Sequence, residues 1–199
     1  MNFLSLNMPV SQAERKKRMD MFSKVNRLAA SFHNANVKLK KMTPIDLGDE
    51  EVVAFLRSLQ EYDVKYLLIG GFAVAFHGYV RATHDLDLWI RDDASNIENL
   101  RKVLTKHGVA GLDEIRSFEL IPGFTQFSVG DSGFIVEPLK SLKAFSAYDF
   151  DVCYDRADIG SFQDITFRVI HPKDLLKEKQ TTNRPKDQGD IEHLKNLSE

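Results

Sequence analysis

Two aspartates one residue apart, Asp85 and Asp87 in the run HDLDLWI, are the residues of this chain best placed to do chemistry. On an extended strand successive side chains alternate faces, so both carboxylates project together while Leu86, Leu88 and Ile90 turn the other way into a core. Like charges side by side repel, and a fold rarely keeps them so without a cation between. Hard carboxylate oxygens suit Mg²⁺ or Mn²⁺, which retain water and substrate phosphate oxygens in their remaining positions. Upstream, Gly70-Gly71 falls where an apolar strand gives way to a helix, and glycine admits a phosphate to the free N–H groups at the positive helix end. Arg81 and Thr83 add a guanidinium and a hydroxyl near the same phosphates. The segment from Tyr66 to Ile90 therefore predicts chemistry on a phosphate, assisted by a divalent cation.

Other titratable groups read more simply. His77 ends a helix and packs on Tyr79 or Trp89, and no second histidine stands at the spacing of a zinc site. Cys153 reads as a packing residue with no base or cation beside it. The run YDFDV repeats the D-x-D pattern in Asp149 and Asp151, but no glycine pair opens a helix before it, so it reads as a surface strand or a helix start.

The elements that must position these residues alternate from Asp46 onward. Val52, Phe55, Leu56, Leu59 and Tyr62 mark one face of a helix over 49–62, with acidic residues at its positive end. A buried strand is expected over 64–69, a helix over 72–77 closed by Gly78, a strand over 86–90 and a helix over 95–107 closed by Gly108. A hairpin of 124–129 and 134–139 turns at Gly130-Asp131-Ser132-Gly133, and 165–170 is a further strand. Two helices finish the chain, one started by His171-Pro172-Lys173-Asp174 and one near Pro185. The fold class is mixed α/β (α+β) with a helical C-terminal tail.

The 199 residues carry 27 Lys/Arg against 29 Asp/Glu, yet residues 1–45 hold nine basic and two acidic residues. A basic arm over 1–45 thus precedes an acidic domain over 46–199. Within the arm Met21, Phe22, Val25, Leu28 and Ala29 recur at helical spacing and predict a helix over about 12–32. The arm either contacts a polyanion such as RNA or lies against its own body. One cysteine cannot close an internal disulfide. The longest mostly apolar stretch, Tyr66 to Phe76, falls well short of the ~20 residues that span a bilayer, so no membrane helix is expected. The apolar residues of MNFLSLNMPV precede the basic ones, the reverse of a secretory signal, and a cytoplasmic location is expected.

The pattern GG-x-A-x-x-x-H-G-x-x-R-x-T-x-D-x-D is met by Gly70, Gly71, Ala73, His77, Gly78, Arg81, Thr83, Asp85 and Asp87. It resembles the signature of the nucleotidyltransferase superfamily, with its DNA polymerase beta-like fold, and within it the bacterial branch of AbiEii-type abortive-infection toxins. A second segment, DLLKEKQTTNRPKDQGDIEHL, resembles that branch's ending through Asp174, Lys179, Arg184, Lys186, Asp187 and Asp190. The two resemblances cover about Val52 to Leu197. They imply a mixed sheet flanked by helices and Mg²⁺- or Mn²⁺-dependent transfer of NMP from an NTP to an acceptor hydroxyl of RNA, protein or a small molecule.

The resemblance also implies a third carboxylate on a neighbouring strand, usually an Asp; the aligned strand FIVEPL offers Glu137, one methylene longer. It makes Lys179 a phosphate contact aided by Arg184 and Lys186, where charge pattern alone puts Lys179 on a solvated face with Lys173 and Lys177. Asp187 and Asp190 read as stabilising the start of the last helix. The branch further implies a toxin–antitoxin pair with a cognate partner. Two rivals remain open: a nucleotide-binding protein of the same fold without turnover, and a kinase-like enzyme transferring the γ-phosphoryl group.

Overall fold

Short apolar runs become strands here, and the central one, Tyr66–Leu68, is the one buried at every residue among the described strands. The structure is a computed structural model of the chain, and it describes residues 11–21, 49–79, 81–112, 120 and 125–197. Helix α1 is seen over residues 12–21. There follow α2 (Glu50–Glu61), β1 (Tyr66–Leu68), α3 (Gly70–Phe76), β2 (Asp85–Ile90), α4 (Ala94–Lys106), β3 (Phe127–Val129) and β4 (Phe134–Leu139). Helix α5 (Phe150–Asp155), strands β5 (Asp158–Phe162) and β6 (Ile165–Val169), and helices α6 (Pro172–Thr182) and α7 (Gln188–Asn196) complete the chain. One six-stranded sheet runs in the order β3-β4-β2-β1-β6-β5.

The sheet is mixed. β2 lies parallel to β4 and β1 parallel to β6, while β1–β2, β3–β4 and β5–β6 are antiparallel. A parallel pair needs a crossover, and α4 supplies it between β2 and the β3–β4 hairpin. Tyr66, Leu67 and Leu68 of central β1 are all buried, the pattern of a strand covered on both faces. Helices α2 and α4 pack on each other, and α3, α6 and α7 form a second packed group. Aromatic edges lock the layers: Phe55 of α2 meets Phe134 of β4 at 5.7 Å, and Phe72 of α3 meets Phe167 of β6 at 5.6 Å. Among the described residues no helix is long and apolar enough to cross a membrane.

Local signals explain the helix starts. Asp49 accepts from the Glu51 N–H at 2.8 Å and Asp93 from the Asn96 N–H at 2.9 Å, each capping its helix. Pro172 follows the cap His171 at the head of α6, and Asn183 closes that helix in the left-handed region.

The structure adds one strand that the sequence reading lacks. In β5, Asp158, Gly160 and Ser161 are poor strand formers, which hid it. A Cβ on Gly160 would lie 2.3 Å from the Phe167 ring, so packing of the neighbouring strand's aromatic demands the glycine. The YDFDV run is the start of a helix: Asp149 accepts from the Ser146 N–H and hydroxyl ahead of α5. Of the helix expected over 12–32, residues 12–21 are helical; Phe22, Val25, Leu28 and Ala29 lie outside the described residues. Met21 is 53% exposed, and Met19 instead is buried.

Candidate active site

The carboxylates meet because β2 and β4 run parallel in a register that pairs Asp87 with Glu137. Asp85 sits two residues earlier on the same face of β2. One ligand atom from each of Asp85, Asp87 and Glu137 lies within 4.8 Å of the others, and among the described residues no other group of three or more His, Cys, Asp and Glu side chains converges this way. Enclosure by protein first, then the charges of Asp85 and Glu137, push the Asp87 carboxyl up to about 7. Three anionic oxygens this close are the hard donor set that a divalent cation takes.

Neutral donors flank the trio. The Thr83 hydroxyl donates to Asp85 Oδ1 at 3.0 Å, and Gln126 Nε2 donates to Glu137 Oε2 at 3.0 Å. Thr83 thus bonds a carboxylate, where its expected role was toward phosphate.

The glycine pair serves close approach. Gly70 has φ +60°, and a Cβ there would stand 1.7 Å from Asp87 Oδ2. A Cβ on Gly71 would stand 2.5 Å from the Thr83 hydroxyl. Only glycine lets the strand-to-helix turn lie against the carboxylate strand. Both glycines also line the cleft into which the carboxylates point.

A buried charge network borders the same cleft. Lys179 Nζ is 3.0 Å from Asp187 and 3.0 Å from Asp190, and all three side chains are buried. Arg81 holds Asp190 with two bonds of 2.9 and 3.0 Å, and Arg184 with Thr182 holds Asp187. Burial alone would raise the Asp187 carboxyl, but the bonds from Arg184 and Lys179 hold it well below the usual range.

This corrects two expectations. Lys179 does not share a face with exposed Lys173 and Lys177, because two residues turn a helix by roughly 200°. Asp187 and Asp190 do more than stabilise a helix start: they anchor the cations of the cleft wall. Their i,i+3 spacing in KDQGD was the readable signal that both face the same way.

The cleft has a volume of about 600 Å³ and is lined by acidic, basic and apolar side chains. Asp85, Asp87, Glu137 and Glu178 are its acidic lining, Arg81, Lys143, Lys179, Arg184 and Lys186 its basic lining, and Leu139, Leu142, Ile170 and Leu175 line it with apolar surface. Every residue the sequence reading singled out for metal or phosphate lines this one cavity. Gln126, which that reading missed, lines it too.

The remaining candidates lie elsewhere. Neither Asp149 nor Asp151 lines the cleft; Asp151 pairs with Arg91 at 3.1 Å. His77 caps α3 and is buried, donating to the Ile170 carbonyl at 2.8 Å, and burial pushes its imidazole down to about 4. Its ring meets Phe76 edge-on, not Trp89, while Tyr79 stacks on His193. Cys153 is buried as expected, but a cation does stand beside it, with Arg156 Nη2 3.6 Å from the sulfur.

No family model matches the chain, and no curated protein matches it. Among solved structures the chain is similar to an antigenic nucleotidyltransferase-like protein from Paracoccidioides brasiliensis, at 20% identity over 77% of each chain with a TM-score of 0.48.

Proposed function

We propose that this chain is a metal-dependent nucleotidyltransferase that moves NMP from an NTP to an acceptor hydroxyl. The observation that carries the reading is the convergence of Asp85, Asp87 and Glu137 in a cleft that Arg81, Lys179, Arg184 and Lys186 also line. Their oxygens fit Mg²⁺ or Mn²⁺, and Asp85, Asp87 and Glu137 would hold the ion. Bound there, it would supply positive charge to a phosphate in the course of displacement.

The chain's own groups do the rest. Arg81, Lys179, Arg184 and Lys186 draw the triphosphate into the cleft, with Gly70 and Gly71 leaving room for it to approach the backbone. The apolar lining residues Leu139, Leu142, Ile170 and Leu175 offer surface to the nucleoside. The acceptor oxygen bonds to the α-phosphorus, the bond to the β-phosphate's bridging oxygen breaks, and pyrophosphate leaves. Glu137 takes the acceptor's proton.

RNA, a protein or a small molecule can furnish the acceptor, and the resemblance to abortive-infection toxins supports a role in a toxin–antitoxin pair in the cytoplasm. The test is incubation of the chain with each labelled NTP, Mg²⁺ or Mn²⁺, and total cell RNA or protein. Labelled acceptor with pyrophosphate release, lost in Asp87→Asn, is expected. Release of nucleoside diphosphate would mark the kinase-like rival, and tight NTP binding without turnover the binding protein. The length of Glu137 favours that last rival, because an extra methylene displaces an oxygen whose position matters.

A further inference from the structure

The longer side chain at 137 poses a positioning problem that the neighbouring strand answers. Glu137 has one more rotatable bond than an aspartate, so β4 alone does not fix where its carboxylate sits. Asp85 and Asp87, by contrast, stand on short stems on β2. β3 and β4 pair antiparallel with Phe127 opposite Val136. One step further along that register, Gln126 stands opposite Glu137, and side chains of opposed residues share a face of the sheet. The Gln126 amide donates to Glu137 Oε2 at 3.0 Å, and both residues line the cleft.

We propose that Gln126 is a positioning residue that aims the Glu137 carboxylate at the divalent cation, an inference that rests on the function proposed above. Holding one oxygen of a planar carboxylate sets the direction of the other. Chemistry favours an amide for this task. A lysine or arginine there would offer the carboxylate a rival positive charge, whereas Gln126 orients it and leaves its charge for the ion. The Thr83 hydroxyl on Asp85 Oδ1 at 3.0 Å is the same device on the other outer carboxylate. Gln126 is exposed and precedes an edge strand, so its bond competes with water and adds little to stability. The reason for a defined contact there is geometric. Side chains that orient a metal ligand from outside the coordination shell typically change affinity by about 10–100-fold when removed.

The test is titration of the full chain with Mn²⁺ alone, following the free ion by electron paramagnetic resonance and recording the metal-free thermal midpoint. Gln126→Met keeps the length of the side chain and removes the donor; Gln126→Ala removes both. Both variants are expected to bind Mn²⁺ about tenfold more weakly than wild type, with unchanged midpoints. In a Glu137→Ala background, adding Gln126→Met is expected to cost nothing further. Wild-type affinity in Gln126→Met overturns the inference and leaves the proposed function standing. An equal loss in the Glu137→Ala background overturns it also, since Gln126 would then act elsewhere, and a lowered midpoint assigns the residue to the fold instead. Failure of the wild-type chain to bind Mn²⁺ at millimolar concentration overturns the metal site and this inference together.

Discussion

Charge at single residues decides what this cleft tolerates. Asp87 carries a carboxyl raised to about 7 by its enclosure and by two anionic neighbours, a conflict that a bound cation resolves. Mg²⁺ or Mn²⁺ with NTP is therefore expected to raise the thermal midpoint, and Asp87→Asn to abolish the gain. Glu137→Ala is expected to abolish turnover with NTP binding retained, and Glu137→Asp to keep or increase it, as read by pyrophosphate release. The cations that line the cleft are set by pairing. Lys179→Met would leave Asp187 and Asp190 buried with one cation each, Arg184 and Arg81, and a loss of about 3 kcal/mol in denaturant unfolding is expected. Asp187 is depressed relative to the unfolded chain. Its contribution is accordingly complete above the ordinary carboxylate value of about 4 and is lost as the pH falls toward the folded value. Thermal midpoints of wild type should thus fall as the pH drops below about 4, and those of Lys179→Met less steeply. The aspartate pair of β2 was legible from alternation alone. The pairing of Lys179 was not, because a helix-surface pattern says nothing of which neighbouring helix will cover it.

Elements matter here by how closely their backbones approach. The turn from β1 into α3 lies against β2, and Gly70 sits at φ +60° with Asp87 in the space a side chain would take. Gly70→Ala is expected to lower the thermal midpoint and to remove the metal-dependent shift together, because the left-handed backbone costs an alanine about 1 kcal/mol and the methyl displaces Asp87. The β3–β4 hairpin is clamped from α2. Glu51 accepts from the N–H groups of Asp131 and Ser132 at 2.9 and 2.8 Å and from the Ser132 hydroxyl. The Ser132 bonds hold its carboxyl below the usual range. Glu51→Gln is expected to cost about 1 kcal/mol in denaturant unfolding, with faster hydrogen exchange in the 130–133 turn. The hairpin itself was readable from its Gly-Asp-Ser-Gly turn between alternating runs. Its clamp was not, since Glu51 and Ser132 stand 81 residues apart.

At the scale of the whole molecule, helix α1 meets the rest of the described chain at a defined place. Arg15 pairs with Asp158 at 2.8 Å and donates to the Ile159 carbonyl of edge strand β5, while Arg18 donates to the His77 carbonyl. Met19 is 1% exposed within the core. The Arg15 bond occupies one backbone carbonyl on a sheet edge, which would otherwise be unpaired. Met19→Ala is expected to destabilise the chain by about 2 kcal/mol. If the arm's remaining cations serve RNA, affinity measured at low and high salt should fall with a slope near the number of phosphates neutralised. Unchanged stability in a chain that begins at Lys41, together with lost salt-sensitive binding, would sink the packed helix.

The sequence by itself determined what depends on near neighbours. Alternation put Asp85 and Asp87 on one face, the glycine pair marked the strand-to-helix turn, and caps and prolines set the helix starts, because backbone geometry ties each of these to residues a few positions away. Resemblance pointed to Glu137 over the rival pair Asp149 and Asp151, but the parallel register of β2 and β4 brought it beside Asp87, a contact made across 50 residues. The same holds for Gln126 against Glu137, for Arg81 against Asp190 and for Met19 in its socket. In each case the partner is chosen by sheet order and helix packing. Those follow from burying the whole apolar surface at once, and no local period records the outcome.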